Sequence, residues 1–163
     1  MKNILFFIFA SFVLLNTACQ PENCCEPPHG NFFIIAFKDN VQWTGYPGDN
    51  TLHGDTLIIT GIGINPGTVR DTLGIRVKYT GPGDYKLLKS QVSYHSSAGY
   101  NAPLNSYKLD SLANNTLTIG GYDPVTNTIH GSFSVTFIDP NAAAGQPGDI
   151  SFLDAQFYLA LHK

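Results

Sequence analysis

From residue 31 onward the apolar residues of this chain recur with a period of two. Ile75, Val77 and Tyr79 alternate with Arg76, Lys78 and Thr80. Phe133, Val135 and Phe137 alternate with Ser132, Ser134 and Thr136. Leu153, Ala155, Phe157, Leu159 and Leu161 alternate with Asp154, Gln156, Tyr158 and His162. Successive side chains of a strand point to opposite faces, so each run is a strand with one face to bury. Shorter runs of the same kind lie near 31–38, 41–44, 56–60, 85–88, 91–95, 106–109 and 116–119. No stretch beyond residue 30 carries a helical period. The alanine run Ala142–Ala144 is bracketed by Pro140, Gly145 and Pro147, which makes it a loop.

The breaks between runs carry turn chemistry. Pro-Gly-Asp occurs at 47–49, 82–84 and 147–149. Proline presets the first central position of a type II turn, and glycine supplies the positive φ of the second. Asp39-Asn40 sits between two apolar runs and suits a tight hairpin. Short connections make successive strands antiparallel neighbours. The expectation for residues 31–163 is a single all-β antiparallel domain, largely up-and-down, of about nine or ten strands. A barrel and a two-sheet sandwich both remain open.

The start of the chain reads differently. Met1-Lys2-Asn3 leads into twelve mostly apolar residues, Ile4–Leu15. A helix crossing a bilayer needs roughly 20, so residues 1–18 read as a secretory signal peptide. Thr17-Ala18-Cys19 resembles a lipobox, which implies cleavage before Cys19 and acyl chains (palmitate among them) on its sulfur. Residue 20 is Gln rather than Asp, which points to the outer membrane. Residues 19–30 hold three prolines and little to bury, and form a tether. Cys24 and Cys25 are adjacent, too close for a relaxed disulfide between them. With His29 they lack a scaffold for a metal, and no metal or cofactor is expected. No cysteine follows residue 25, so the folded domain rests on its core.

Several motifs resemble those of a family of Bacteroidota lipoproteins of unknown function. They are a strand, turn and tryptophan at Ile35–Trp43, a Gly-x-Tyr-x-Leu strand at Gly83–Leu87, and Ile129-His130-Gly131-Ser132-Phe133-Ser134-Val135. Asn40 stands where glycine is more usual. The resemblance implies an all-β domain behind a lipoprotein signal peptide, and brings no catalytic residues. Secreted proteins of the same bacteria carry O-glycans at Asp-(Ser/Thr)-aliphatic triplets. Thr56, Thr72 and Ser111 stand in such triplets here, although Asp before Ser or Thr also commonly opens a strand.

Charge and motif narrow the functions. The precursor carries nine Lys and Arg against twelve Asp and Glu, a formal net charge of −3, and loss of Lys2 makes it more negative. Nucleic acid is therefore not an expected partner. Both glutamates, Glu22 and Glu26, lie in the tether. Most aspartates of the domain adjoin turn residues, and only Asp154 lies mid-strand. No facing pair of carboxylates stands out for glycoside hydrolysis. His53, His95, His130 and His162 are scattered singly, with no His-Glu-x-x-His and no Gly-x-Ser-x-Gly. No enzyme is expected.

Three loops look longer than hairpins need: 61–71, 93–105 and 139–149. Long loops on a β scaffold are common recognition sites. Segment 94–107, around the second, carries Tyr94, His95, Tyr100, Asn101, Asn105 and Tyr107, a mix suited to a glycan or an envelope protein. Tyr94 and Tyr107 also fit strand-end core positions. Trp43 reads as core, and Tyr46 as the better exposed candidate. The expected role is a non-catalytic binding or accessory module anchored by lipid on Cys19. A structural envelope subunit and a barrel carrier of a small apolar ligand are the alternatives. The many Phe and Leu on the apolar faces look sufficient to fill a barrel.

Overall fold

A computed structural model describes residues 32–64, 69–98, 103–142 and 148–162. The leader, Cys19 and the tether lie outside these residues, as do Tyr100 and Asn101. The strands run β1 (Phe33–Lys38), β2 (Val41–Pro47), β3 (Thr51–His53), β4 (Thr56–Ile64), β5 (Val69–Lys78) and β6 (Gly83–Lys86). Next come β7 (Val92–Ala98), β8 (Pro103–Leu109), β9 (Thr116–Asp123), β10 (Thr128–Ile138) and β11 (Asp149–Ala160). The fold is all-β and antiparallel, and it closes into an eight-strand barrel with extra strands. Closure runs through β8–β10, β10–β11 and β11–β1.

The extra strands continue the barrel's own staves. β2 and β3 both pair with β4, at Gly61–Gly63 and at Thr56–Ile58. β8 and β9 both pair with β10, at Phe137–Ile138 and at Thr128–Ser134. β6 pairs with β9 as β7 pairs with β8. Three staves are thus split into an upper and a lower piece. Set in chain order, the eight staves form an up-and-down meander.

A split leaves ladder groups of the neighbouring strand without a partner, and unpaired buried peptide groups are costly. Two buried asparagines supply the missing bonds. Asn50, 1% exposed, sits between β2 and β3. Its Oδ1 accepts the Thr60 amide at 2.7 Å, and its Nδ2 donates to the Gly48 carbonyl at 2.9 Å. Asn115, 2% exposed, sits between β8 and β9. Its Oδ1 accepts the Thr136 amide at 2.8 Å, and its Nδ2 donates to the Asp110 carbonyl at 2.6 Å. Each side chain stands in for a stretch of strand.

The alternation places the core inside. Ile34, Leu57, Ile59, Leu73, Ile75, Leu117, Ile119, Val135 and Leu159 are buried within the barrel. β5 presents Arg76 and Lys78 outward, both exposed. A barrel spanning a membrane shows the reverse pattern, apolar outside and polar inside.

Several expectations need correction. β3 is a short strand with no alternating signal. The turn at 47–49 does not reverse the chain. Gly48 lacks a positive φ, and its amide bonds Thr60 as the chain steps from β2 to β3 along one stave. Gly83 does have a positive φ, 143°. Leu153 is 39% exposed and faces out, while Phe152 takes the inward place. A β-bulge with Asp154 at φ 49° shifts the β10–β11 register there. Strands also claim most of two supposed loops. β4 reaches Ile64 and β5 begins at Val69, and β7 reaches Ala98 with β8 beginning at Pro103. Loops 61–71 and 93–105 are therefore mostly paired strand. The connection at 139–149 stands, from Ile138 to Asp149. The hairpin at Asp39-Asn40 is as expected, with φ of 50° and 65°.

Candidate functional site: the upper mouth of the barrel

Strand direction puts four connections at one end: β1–β2, β4–β5, β7–β8 and β10–β11. We call this end upper. The lower end holds the split pieces β3, β6 and β9, and the chain enters there at Phe32, stacked on Tyr158 at 5.7 Å between ring centroids. Near the lower end, Tyr79 packs edge-on against Tyr122 at 6.2 Å, and Tyr85 accepts a hydrogen bond from the Thr80 amide.

The inward residues change character toward the upper end. Ladder register aligns Gly63, Asp71, Ser96 and Asn105 across β4, β5, β7 and β8. One rank below, Leu73, Tyr94 and Tyr107 align. Asp71 is 1% exposed. Lys38 reaches across from the end of β1, and its ammonium lies 2.6 Å from the Asp71 carboxylate. The Tyr94 hydroxyl donates to the same carboxylate, and the Lys38 Nζ stands 5.3 Å from the Tyr94 ring centroid. Burial pushes the Tyr94 phenol well above its ordinary range, and the negative charge of Asp71 and the bond to it push the same way. Tyr94 therefore stays protonated and acts as a donor. The Asp39 carboxylate accepts the Ser151 amide at 2.9 Å, which ties the β1–β2 hairpin to the start of β11.

Aromatic rings floor the mouth. Tyr94 contacts Tyr107, Phe152 and Phe137 at 4.9, 5.1 and 5.4 Å between centroids. Trp43 meets Phe152 edge-on at 5.2 Å. The indole lies in a slot over Gly45 and Gly63, where any Cβ would collide with it, and beside Gly61, where a Cβ would crowd Ile34 and the indole. Its Nε1 is buried beside Gly63 and has no hydrogen-bond acceptor among the described residues. Buried N–H groups without a partner are rare and costly. In and below this layer Ile34, Leu57, Phe137, Phe152 and Leu159 are 0% exposed. A side chain lining a water-sized void would keep accessible surface, so these residues border none.

The mouth therefore holds a satisfied carboxylate and a surplus of donors. Asp71 already accepts from Lys38 and Tyr94. Lys38 has protons beyond the one given to Asp71, and Trp43 has one with no taker. Of these donors only the Lys38 ammonium is partly exposed.

The residues singled out from sequence part company here. Tyr94, 2% exposed, and Tyr107, half-buried, come together inside the mouth. His95 is half-buried on the outer wall between Thr72 and Ser106. Tyr46, 62% exposed, also faces out, opposite Ile62. Tyr100 and Asn101 lie outside the described residues. Lys38 and Asp71 were missed. A charge at an inward register position of an apolar strand is the signal that could have found Asp71. Of the glycosylation-like sites, Thr56 and Thr72 are half-buried ladder residues, whereas Ser111 is exposed on a turn. There the Asp110 carboxylate accepts the Leu112 amide at 2.9 Å. Among the described residues no group of three or more His, Cys, Asp or Glu could hold a metal. No protein-family model, curated protein or solved structure matches the chain.

Proposed function

We propose that this chain is a cell-envelope lipoprotein, anchored by acyl chains on Cys19, whose barrel is a non-catalytic binding module. Its ligand is taken at the upper mouth. The observation that carries the reading is the polar rank inside that mouth, where the partly exposed Lys38 ammonium keeps donors beyond the one given to Asp71. The polarity of the barrel supports it. Phe32 enters at the lower end, so a tether joined there turns the mouth away from the membrane. The lipobox-like Thr17-Ala18-Cys19 and the resemblance to Bacteroidota lipoproteins favour the same compartment, with the outer membrane as the address.

The filled interior bears on the alternatives. A carrier of an apolar ligand needs room among the inward side chains, and the zero exposure of Phe137 and Phe152 weighs against that room. The same filled core favours a structural envelope subunit as the second reading. O-glycosylation, within this proposal, is best placed at Ser111.

Two measurements test it. Metabolic labelling with a fatty acid should mark the wild type and not Cys19→Ala; equal labelling removes the anchor. Capture from envelope extracts on the purified mature chain should weaken with Asn105→Ala, at the exposed end of the polar rank. An unchanged set of captured molecules would sink the mouth as the binding site.

A further inference from the structure

We propose a second site, on the outer wall of the barrel, that binds a polyol of about one sugar ring. It lies where the β10–β11 bulge meets β9. A depression of about 220 Å³ opens there, lined by Thr116, Thr118, Ser132, Ser134, Asp154 and Gln156. Phe133 and Ala155 complete its floor. Sites for drug-sized ligands begin near roughly 300 Å³, so this one suits a single ring.

The register explains both the hollow and its chemistry. Phe133 pairs with Ala155, but Val135 pairs with Phe152. Two residues, Leu153 and Asp154, thus oppose Ser134 alone. Such bulges bend the strand and re-aim a side chain. Asp154 adopts φ 49°, in the left-handed region, and its exposed carboxylate lines the hollow. Every other polar residue around it is small or flexible, so nothing bulky fills the space.

The donor and acceptor inventory fits a polyol. Ser and Thr hydroxyls and the Gln amide both donate and accept, whereas a carboxylate only accepts. Thr118 gives its proton to Asp84 at 2.6 Å, which leaves its lone pairs as acceptors. Asp154, Ser132, Ser134 and Gln156 form no side-chain hydrogen bond among the described residues. Adjacent hydroxyls of a sugar can donate together to one carboxylate and accept from the surrounding hydroxyls. A hard cation such as calcium takes six to eight oxygen ligands, typically with several carboxylates, and this hollow has one.

The test uses the mature chain, isotope-labelled, titrated with glucose, mannose and N-acetylglucosamine. At least one sugar should give saturable shifts in the amides of 116–118, 132–134 and 154–156. Asp154→Asn keeps a residue that tolerates the left-handed backbone and should weaken binding on the order of tenfold, the value of a hydrogen bond to a charged group. Ser132→Val with Ser134→Val suits a strand and should abolish binding with the spectrum otherwise preserved. Three results would overturn the site: no saturable shift with any of the sugars, equal binding by both variants, or calcium chloride moving these amides where sugars do not. Mouth variants such as Asn105→Ala should leave the titration unchanged, so failure of the mouth and failure of this hollow are separable.

Discussion

The two ends of the barrel close the same cylinder by different chemistry. The lower tier is built of split strand pieces and tyrosine packing, and buried asparagines complete the ladders where those pieces join the upper ones. Asn50 and Asn115 each complete a ladder. The upper end sets a buried ion pair over aromatic rings and, among the described residues, leaves the Trp43 N–H without an acceptor. The difference teaches where to look: structural polar groups are those whose partners are all in the ladder.

The largest expected effect tests the ion pair. Lys38→Met leaves the Asp71 carboxylate buried without its cation, and breaking such a pair costs about 3–5 kcal/mol. With Lys38 20% exposed, the lower figure is expected in denaturant unfolding. Lys38→Met with Asp71→Leu should recover most of it, since apolar replacements of buried pairs are often neutral. A single-variant cost under about 1 kcal/mol, the level of a surface pair, would break the contrast between the ends.

Gly63→Ala pushes a methyl into the Trp43 indole. Overpacking of this kind costs about 1–3 kcal/mol, and adding Trp43→Phe should relieve part of it. At the β8/β9 joint Asn115→Ala strips the Thr136 amide of its acceptor, for about 1–3 kcal/mol. Melting temperature compared across these variants would sharpen the comparison. The asparagine loss should not respond to any ligand, whereas a mouth ligand should raise the melting temperature of the wild type.

Alkali gives a smaller effect with a definite sign. The folded state holds the Tyr94 proton above the ordinary tyrosine value of 10.0 that the unfolded chain keeps. Its contribution is therefore complete below pH 10 and is lost as pH rises through the folded value. Stability should fall above pH 10, and less steeply in Tyr94→Phe. Equal slopes in denaturant titrations would show that the mouth does not hold that proton. Smallest of all is Leu112→Ser, 95% exposed, which should stay within about 0.5 kcal/mol of the wild type.

Legibility in the sequence followed the same division. Inward faces such as Ile75 and Val77 or Phe133 and Val135 are written in plain alternation, because they need only be apolar. The upper halves of the staves are not. Gly61 and Gly63 make room for Trp43, so β4 reads as a glycine-rich loop. Asp71 and Ser96 face inward, so β5 and β7 lose their apolar period where it would have extended the strands. The site was hidden by its own composition. Places where a local rule fails are expected at functional positions. The bulge at Asp154 was hidden for another reason. Leu153 to Leu161 alternate without a fault, and only pairing with β10 shows that Phe152 and not Leu153 faces the core.

The split staves also bear on how the chain can change over generations. Inserting one residue into a continuous strand turns every later side chain to the opposite face. Between β8 and β9 the backbone leaves the ladder at 110–115 and rejoins it at Asn115, with Leu112 at an exposed tip. An added residue at 112–113 can be absorbed there, with β9 keeping its pairing to β10. The barrel thus carries joints at which length varies without scrambling inside and outside. A lineage could reshape one tier of the wall while the tier above keeps its register.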